Sequence, residues 1–320
     1  MSEFMKGTRD GWVKYGNNPV LGGDLGVCFD ICVHREKNLY RMWFSWRTEN
    51  CIALTESPDG IHWSKPVKCI EANPASGWED GINRCSVVIR EGKYHMWYTG
   101  QIWKNSTAAQ GGEGYLAADG IIYNGESKLG YAVSDDGKTW QRYQKDPVLK
   151  PEADWEKVAL MCPNVLWDEK NSRYTIWYSA GEQYEPNAIG YATSADGINW
   201  KKYENNPVFA ANPESSWEKH KCSACHVLFH DNWYYMFYIG FHNEDYAQIG
   251  VARSRDGLTK WERSSMNPII APDDGAWDGE ACYKPYVIFE DGNWKLWYNG
   301  RRGSIEQIGL ATHAGAELTF

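Results

Sequence analysis

The chain has 320 residues, of which 42% are hydrophobic and 15% aromatic, so it can bury a large core and disorder is not expected. A formal net charge of −9 and an isoelectric point near 5.4 argue against nucleic acid or an anionic membrane as partner, because both call for a basic protein surface. The sequence shows no apolar leader segment and no run of about 18 apolar residues, so we expect a cytoplasmic protein.

A set of three strand-like segments recurs five times along the chain. An apolar strand comes first, as in "CFDICVH" and "ACHVLFH", an aromatic strand follows, as in "YRMWFSW" and "YTIWYSA", and the third has the form "KLGYAVS" or "QIGLATH". The first four sets are each followed by an Asp-Gly turn, in "SPDGIHW", "SDDGKTW", "SADGINW" and "SRDGLTKW", and by a fourth strand. Asp-Gly is a strong hairpin signal because Gly accepts a positive φ, so the pattern predicts an all-β chain of antiparallel units.

The fifth set ends at "IGLATHAGAELTF" without a fourth strand, whereas the chain begins with a copy of one. Residues 11–21, "GWVKYGNNPVL", match "INWKKYENNPVF" in the register that aligns Lys14 with Lys202. We therefore expect the N-terminal segment to supply the missing strand of the fifth unit. A ring closed in this way has no exposed sheet edge between its ends.

The predicted fold is therefore an all-β, five-bladed β-propeller with four antiparallel strands per blade. We expect one domain over residues 1–320, with the strand at 11–21 completing blade five. The interval between the first two Asp-Gly turns is longer than the others, which indicates an insertion at about 102–124 in blade two.

The nine cysteines are an odd number, and several lie inside apolar runs expected to be strands, as in "VCFDICV", "RCSVVI" and "MCPNVLW". Such positions suit buried thiols better than disulfide staples between loops. We therefore expect reduced, mostly buried cysteines, which are typical of a reducing compartment.

Features that recur in every unit are expected to be structural. They include the Ser and Asp of the Asp-Gly turns and the Trp-Glu or Trp-Asp pairs that precede the apolar strands. The tryptophans of these pairs are Trp78, Trp155, Trp217 and Trp277.

Residues that break the repeat on the apolar strand are the candidates for function, because this strand lines the central channel of a propeller. Aligning the apolar strands on the aromatic strands that follow places five differing residues at one level: Asp30, Ser86, Asn164, His226 and Tyr286. Other polar residues are expected toward the mouth of the channel, namely Asp24, Asp80, Arg84, His220, Glu280 and Lys284. The loops between the second and third strands add Glu49, Glu182, His242, Glu244, Asp245, Arg301, Arg302 and Glu306. Tyr283 is an aromatic residue placed to stack on a sugar.

Several carboxylates that converge on one funnel are typical of glycoside hydrolysis, which needs one group to protonate the leaving oxygen and another to attack or to activate water. We expect Asp30, an acid inside an apolar strand, to be nucleophile or general base, because its burial would be costly without a function or a partner. Glu182 is the expected general acid, with Glu280 as the alternative. Asp80 is expected to orient hydroxyls or to stabilise the transition state. The expected substrate-binding residues are Asp24, Arg84, Asn164, His220, His226, Tyr283, Lys284 and Arg301.

Over nearly its whole length the sequence resembles the five-bladed propeller glycosidases: the β-fructosidases, the arabinanase and β-xylosidase group, and bacterial proteins named "glycosyl hydrolase family 32 N-terminal-like". The resemblance rests on the five-unit pattern, on Arg84-Cys85, on "MCPNV" and on "GGDLGVCFD", "GEQYEPNAIGYATS" and "ACYKPY". It implies exo-acting hydrolysis of small furanosides or β-fructoside-like substrates. The catalytic residues of the β-fructosidases do not transfer by position, since Cys85 and Met161 stand where those enzymes carry Asp and Glu.

Two alternatives to hydrolysis stay open. The sequence is also similar to the mannoside phosphorylases, in which basic residues hold phosphate as the nucleophile, and five residues would suit that role, namely Arg84, His220, Lys284, Arg301 and Arg302. The second alternative is a carbohydrate-binding propeller without activity. We expect a small-molecule carbohydrate as partner, no cofactor and no metal site, with a structural cation in the channel left open. The sugar, its linkage and the oligomeric state are not predicted.

Overall fold

The structure is a computed structural model that describes residues 5–103, 115–116, 122–123, 125–184 and 186–320. These residues form strands and short 3-10 turns, and none of them lies in a helix long and apolar enough to cross a membrane. In chain order the strands are β1 (Trp12–Lys14), β2 (Cys28–Glu36), β3 (Leu39–Trp46), β4 (Cys51–Ser57), β5 (Val67–Glu71), β6 (Gly81–Arg90), β7 (Lys93–Gln101), β8 (Tyr115–Leu116), β9 (Ile122–Tyr123), β10 (Ser127–Ser134), β11 (Gln141–Arg142), β12 (Ala159–Asp168), β13 (Arg173–Gly181), β14 (Ala188–Ser194), β15 (Lys201–Lys202), β16 (Phe209–Ala210), β17 (Lys221–His230), β18 (Trp233–Phe241), β19 (Ala247–Ser254), β20 (Glu262–Arg263), β21 (Ala281–Glu290), β22 (Asn293–Arg302) and β23 (Ile305–Ala314).

Backbone hydrogen bonds join most strands into antiparallel runs of four. In chain order the runs are β2-β3-β4-β5, β6-β7-β10-β11, β12-β13-β14-β15, β17-β18-β19-β20 and β21-β22-β23-β1. Strands β7 and β10 pair directly although a long segment separates them in sequence. The predicted insertion at 102–124 lies mostly outside the described residues, and its hairpin β8–β9 pairs only with itself among them.

The N-terminal segment takes the place that the repeat predicts for it. Strand β1 pairs antiparallel with β23, with Trp12 opposite His313 and Lys14 opposite Ala311. The chain then follows β23 further, because the amide of Val20 donates to the carbonyl of Ile308 at 2.8 Å. The edge of β23, the last strand, is therefore hydrogen-bonded to the N-terminal segment.

The recurring Trp-Glu and Trp-Asp pairs are structural, as predicted. Each carboxylate is buried, accepts a hydrogen bond from a tyrosine of the aromatic strand and pairs with a cation on the fourth strand of a run. The four groups are Glu79 with Tyr98 and Arg142, Glu156 with Tyr178 and Lys202, Glu218 with Tyr238 and Arg263, and Asp278 with Tyr298 and Lys14. In the last group the cation comes from the N-terminal strand, at 2.7 Å from Asp278.

We expect the variant Lys14→Met to lose about 3–5 kcal/mol of unfolding free energy, because it leaves the buried Asp278 carboxylate without its cation. Urea denaturation of the variant and of the wild type measures this difference. The double variant Lys14→Met/Asp278→Asn should recover part of the loss, since it removes the uncompensated charge as well. An unchanged unfolding free energy for Lys14→Met would show that β1 does not contribute to the fold in this way.

The Asp-Gly turns join neighbouring runs. An indole N–H on the aromatic strand of one run donates to the carbonyl of the turn glycine of the next, at 2.7–2.9 Å, in four places: Trp43 to Gly137, Trp97 to Gly197, Trp177 to Gly257 and Trp297 to Gly60. The last of these bonds links the final run to the first. The turns are therefore structural, as their recurrence predicts.

The first strands of the runs pack against one another in cyclic order. Strand β2 contacts β6, β6 contacts β12, β12 contacts β17, β17 contacts β21, and β21 contacts β2. Each of them has a register shift against its partner strand, and one residue within each shift has a positive φ of 41–56°: Asp30, Arg84, Cys162, Ala224 and Lys284. We call these five the bulge residues.

The bulges correct the alignment made from sequence. Ser86, Asn164, His226 and Tyr286 do share a level, because each lies opposite the same aromatic position of its partner strand. In the first run the residue at this level is Cys32, which lies opposite Trp43. Asp30 lies two residues earlier in β2, at the bulge position, and so shares its level with Arg84 and Lys284. A two-residue slip keeps every side chain on the same face of a strand, and the alternation of apolar residues cannot reveal it.

Candidate active site

The bulge residues line a cavity where the first strands meet. Bulges insert an extra residue into a strand and re-aim its side chain, and positive φ in non-glycine residues is a strained conformation that often marks functional sites. Three of the five carry charged side chains: Asp30, Arg84 and Lys284. The cavity floor is formed by the next level of residues, among them Asn164, His226 and Tyr286.

Asp30 is the buried acid of this cavity, with only 3% of its surface exposed. Its Oδ2 accepts a hydrogen bond from Ser45 Oγ at 3.1 Å, while Oδ1 lies 3.5 Å from Lys284 Nζ and 3.9 Å from Arg84 Nε. Oδ1 accepts no hydrogen bond from the described residues. The two cations compensate the buried charge, and Oδ1 remains available to a ligand.

A second carboxyl, that of Glu306, interacts electrostatically with Asp30. Glu306 lies near the start of β23 opposite Arg301, and its Oε1 accepts a hydrogen bond from the hydroxyl of Tyr283 at 2.5 Å. Burial raises the pKa of Glu306, the negative charge of Asp30 adds to the rise, and the charge of Arg47 opposes it only in part. Burial and the charge of Glu306 also raise the pKa of Tyr283, so its hydroxyl stays a donor. The pKa of the half-buried Glu306 is therefore shifted upward, in the direction that a general acid needs.

Arg301 lines a second, larger and more open cavity at the rim. Its guanidinium donates to the carbonyl of Asp245 at 2.8 Å. The rim cavity is also lined by Tyr184, Tyr246 and Glu280. It therefore offers aromatic faces together with charged groups, as carbohydrate sites do.

The sequence was compared with models of known protein families. The model of glycosyl hydrolases family 43 matches residues 17–315. The chain belongs to glycosyl hydrolases family 43. This result agrees with the arabinanase and β-xylosidase part of the resemblance noted from sequence, and it gives no support to the β-fructosidase and family 32 part.

Individual relatives of this family 43 chain are distant. The β-1,2-mannobiose phosphorylase of Thermoanaerobacter sp. (strain X514) is 26% identical over 164 residues, which cover 46% of this chain and 53% of that protein. A solved structure described as a glycoside hydrolase has a TM-score of 0.73 at 20% identity, covering 98% of this chain and 95% of its own. The β-1,2-mannobiose phosphorylase of Listeria innocua has a TM-score of 0.66 at 12% identity, covering 95% and 96%. The chain spans about half the length of the curated relatives it matches.

The structure places Glu182, the expected general acid of this family 43 chain, in an ion-pair network. Its two carboxylate oxygens lie 2.9 Å from Lys157 and 3.0 Å from Lys221, and the buried Lys221 also pairs with Glu244 at 2.9 Å. Burial alone would raise the pKa of Glu182, but the hydrogen bonds from the two lysines outweigh it and lower the pKa. A general acid needs the opposite, a raised pKa, so this environment does not suit the role expected from sequence.

The other rim candidates are spread around the mouth. Asp80 is half-buried and its Oδ2 accepts the amide hydrogen of Trp103 at 2.9 Å. Glu280 is exposed and accepts the amide hydrogen of Gly303 at 2.9 Å, and Asp24 is exposed on a 3-10 turn. His220 is exposed and lies 2.9 Å from Glu244. None of these four residues lines the cavity of Asp30.

Asn164 and His226 line that cavity, but their hydrogen bonds are structural. At their level a side chain on four of the five first strands accepts an amide hydrogen from the next first strand: Cys32 from Val87, Ser86 from Val165, Asn164 from Val227 and His226 from Val287. Burial lowers the pKa of His226 to about 3, so its ring is neutral and its Nδ1 can accept. These side chains differ in chemistry but make the same kind of hydrogen bond, so their variation between repeats is not by itself evidence of a binding role.

Sequence reasoning assigns no role to Glu306 or Cys162, although Cys162 lines the cavity of Asp30 and Glu306 interacts electrostatically with Asp30. The sequence places Glu306 only among the loop residues near the mouth. The available signal is its register, because a hairpin between β22 and β23 puts it opposite Arg301 and beside the first strand that carries Tyr283. Cys162 occupies the bulge position of β12, and no short-range pattern marks that position. Among the described residues no group of three or more His, Cys, Asp or Glu is arranged to hold a metal ion.

Proposed function

We propose that the runs of four strands are the blades of a five-bladed β-propeller in one domain over residues 1–320. The cyclic contacts of the first strands and the pairing of β1 with β23 support this reading. All nine cysteines are free, which supports a reducing compartment such as the cytoplasm. The central channel of this propeller contains the cavity of Asp30.

We infer that this chain cleaves glycosidic bonds in small glycosides. One observation carries the inference: two neighbouring carboxyls have opposite environments, since Asp30 is paired with two cations while burial raises the pKa of Glu306. A raised pKa on one carboxyl of the pair suits the division of roles in glycoside hydrolysis, in which one group protonates the leaving oxygen and the other attacks or activates water. Asp30 attacks the anomeric carbon or activates water, and Glu306 protonates the leaving oxygen.

The surrounding residues then hold the sugar. Arg84 and Lys284 lie on either side of Asp30 Oδ1 and are placed to bind hydroxyl groups of the ring that reacts. Tyr283 is a positioning residue, because its hydroxyl donates to Glu306. The rim cavity, with Tyr184, Tyr246 and Arg301, would receive the leaving group. Furanosides, in line with the arabinanase part of the resemblance, are the first substrates to examine.

Phosphorolysis is the second candidate, and a specific observation favours it. Arg84 Nε and Lys284 Nζ lie 3.9 Å and 3.5 Å from the same oxygen of Asp30, and paired cations of this kind suit a phosphate nucleophile. The similarity to a β-1,2-mannobiose phosphorylase points the same way. In that case Glu306 keeps its role as acid, and phosphate replaces the group that attacks the anomeric carbon.

The deciding experiment is a screen of purified protein against p-nitrophenyl furanosides and pyranosides and short oligosaccharides, each with and without inorganic phosphate. Release without phosphate is the expected result and identifies the sugar. Release that requires phosphate, with a sugar 1-phosphate as product, would replace hydrolysis by phosphorolysis. No release from any substrate, with a sugar that still raises the melting temperature, would contradict both and indicate a carbohydrate-binding protein.

A further inference from the structure

Cys162 and Lys284 contact each other across the cavity. They are bulge residues of β12 and β21, two first strands separated in the cyclic order by β17. Lys284 Nζ donates a hydrogen bond to Cys162 Sγ and lies 3.5 Å from Asp30 Oδ1. A single ammonium group therefore lies between a thiol and a carboxylate, and all three side chains line the same cavity.

Two other cysteines of the cavity provide an internal comparison. Cys85, Cys162 and Cys225 all line it and are 7%, 6% and 8% exposed. Burial raises the pKa of Cys85 and Cys225, as it does for the six cysteines elsewhere in the chain. Cys162 differs from these two in its bond with the lysine. The three cysteines are similarly exposed, but only Cys162 accepts a hydrogen bond from Lys284. A difference in their reaction rates therefore measures the effect of the lysine and not a difference in access to the sulfur.

The charges that face Cys162 come from three strands. Lys284 on β21 and Arg84 on β6 are positive, and Asp30 on β2 is negative. A neighbouring cation stabilises the thiolate, which is the nucleophilic form of cysteine. Asp30 Oδ1 is buried, accepts no hydrogen bond from the described residues and belongs to the cavity that Cys162 also lines, so a polar ligand in this cavity would find an acceptor without a donor.

We propose that Cys162 is a modification site for small peroxides, at which oxidation blocks the cavity reversibly. The thiolate sulfur attacks one peroxide oxygen, the O–O bond breaks, and the sulfur is oxidised by two electrons to a sulfenic acid. The other oxygen leaves as hydroxide and takes up a proton to form water. A thiol then condenses with the sulfenic acid, releasing water, and a second thiol restores Cys162 and leaves as the disulfide.

The consequence for the site is local. The added oxygen lies where Lys284 Nζ now contacts the sulfur, so the lysine has to move away from Asp30. This inference does not depend on the reaction that the site performs, because the chemistry of Cys162 is measured without a substrate.

The first test uses methyl methanethiosulfonate, a small reagent whose sulfur is attacked by thiolates with methanesulfinate as leaving group. At pH 6 a thiol with an ordinary pKa near 8.5 is less than about 1% thiolate. We expect Cys162 to be labelled at least about tenfold faster than Cys85 and Cys225, as measured by peptide mass spectrometry. In parallel, hydrogen peroxide followed by dimedone should trap a sulfenic acid on Cys162. Equal labelling of the three cysteines, or dimedone on none of them, would overturn the proposal.

The second test separates the effect of the lysine from access to the cavity. Lys284→Met should slow the labelling of Cys162 by about tenfold or more, whereas Lys284→Arg, which keeps the charge, should retain most of the rate. Cys85→Ser and Cys225→Ser are the matched controls and should leave the labelling of Cys162 unchanged, while Cys162→Ser should abolish the fast phase. Labelling of Cys162 in Lys284→Met at the wild-type rate would contradict the role of the cation. Should Lys284→Met fail to fold, loss of the fast phase in Lys284→Arg would contradict it equally.

Discussion

The variant Asp30→Asn is expected to lose turnover by roughly 10²–10⁴-fold while keeping its fold. The carboxylate is the group that attacks or activates water, and an amide does neither. Asn is the suitable replacement, because it has the same shape and tolerates the positive φ of 56° at this position better than most residues. Its carbonyl oxygen can still accept the hydrogen bond from Ser45.

The matched control for Asp30→Asn is Asp24→Asn, the same chemical change at an exposed acid of the rim. We expect wild-type turnover from the control, because Asp24 does not line the cavity. Turnover numbers on one substrate, with melting temperatures to verify folding, give the comparison. Near-wild-type turnover in Asp30→Asn would remove Asp30 from the reaction, whichever nucleophile the enzyme uses.

Much of the strand arrangement could be predicted from the sequence because its signals are local and repeated. The Asp-Gly turns mark hairpins within a few residues, and the repeated Trp-Glu pairs identify the buried carboxylate groups such as Glu156 with Tyr178 and Lys202. Even the pairing of the two chain ends left a local signal, since Lys14 in β1 matches Lys202 in β15 and has the same kind of partner. Because the unit recurs five times, the strands assigned in one copy can be compared with those assigned in the other four.

The site was harder to predict because its geometry depends on bulges. A bulge changes which residue faces the cavity without changing the apolar pattern of the strand. For this reason the sequence aligns Asp30 with Ser86 instead of Arg84, and nothing in it marks Cys162. The comparison of repeats is also misleading at Asn164 and His226, since an amide hydrogen can be accepted by an amide oxygen or an imidazole nitrogen alike. Variation between repeats is therefore weak evidence of binding where several side chains can make the same hydrogen bond.

Glu306→Gln is expected to separate acid catalysis from the rest of the reaction. A glutamine cannot protonate a leaving oxygen, so turnover of glycosides with poor leaving groups should fall by roughly 10²–10⁴-fold. Substrates with a p-nitrophenyl leaving group need little protonation and should keep far more of their turnover. Since the pKa of Glu306 is raised, the wild-type enzyme holds the proton to higher pH than an ordinary glutamate and loses turnover as the pH rises through that pKa. This alkaline loss should be absent from the residual activity of Glu306→Gln.

The same change at Glu182 tests the competing assignment of the acid. Glu182 is already ionised by its lysines, and the buried Lys221 keeps Glu244 as a partner when Glu182 becomes Gln. We therefore expect Glu182→Gln to keep wild-type turnover on both kinds of leaving group, and to lower the unfolding free energy by about 1 kcal/mol or less. The opposite result would be that Glu182→Gln loses turnover mainly on substrates with poor leaving groups, and no longer loses activity as the pH rises. In that case Glu182 is the acid, and its ion pairs with Lys157 and Lys221 must break when substrate binds. The two variants thus give opposite results under the two assignments, because only a carboxyl that holds its proton can donate it to the leaving oxygen.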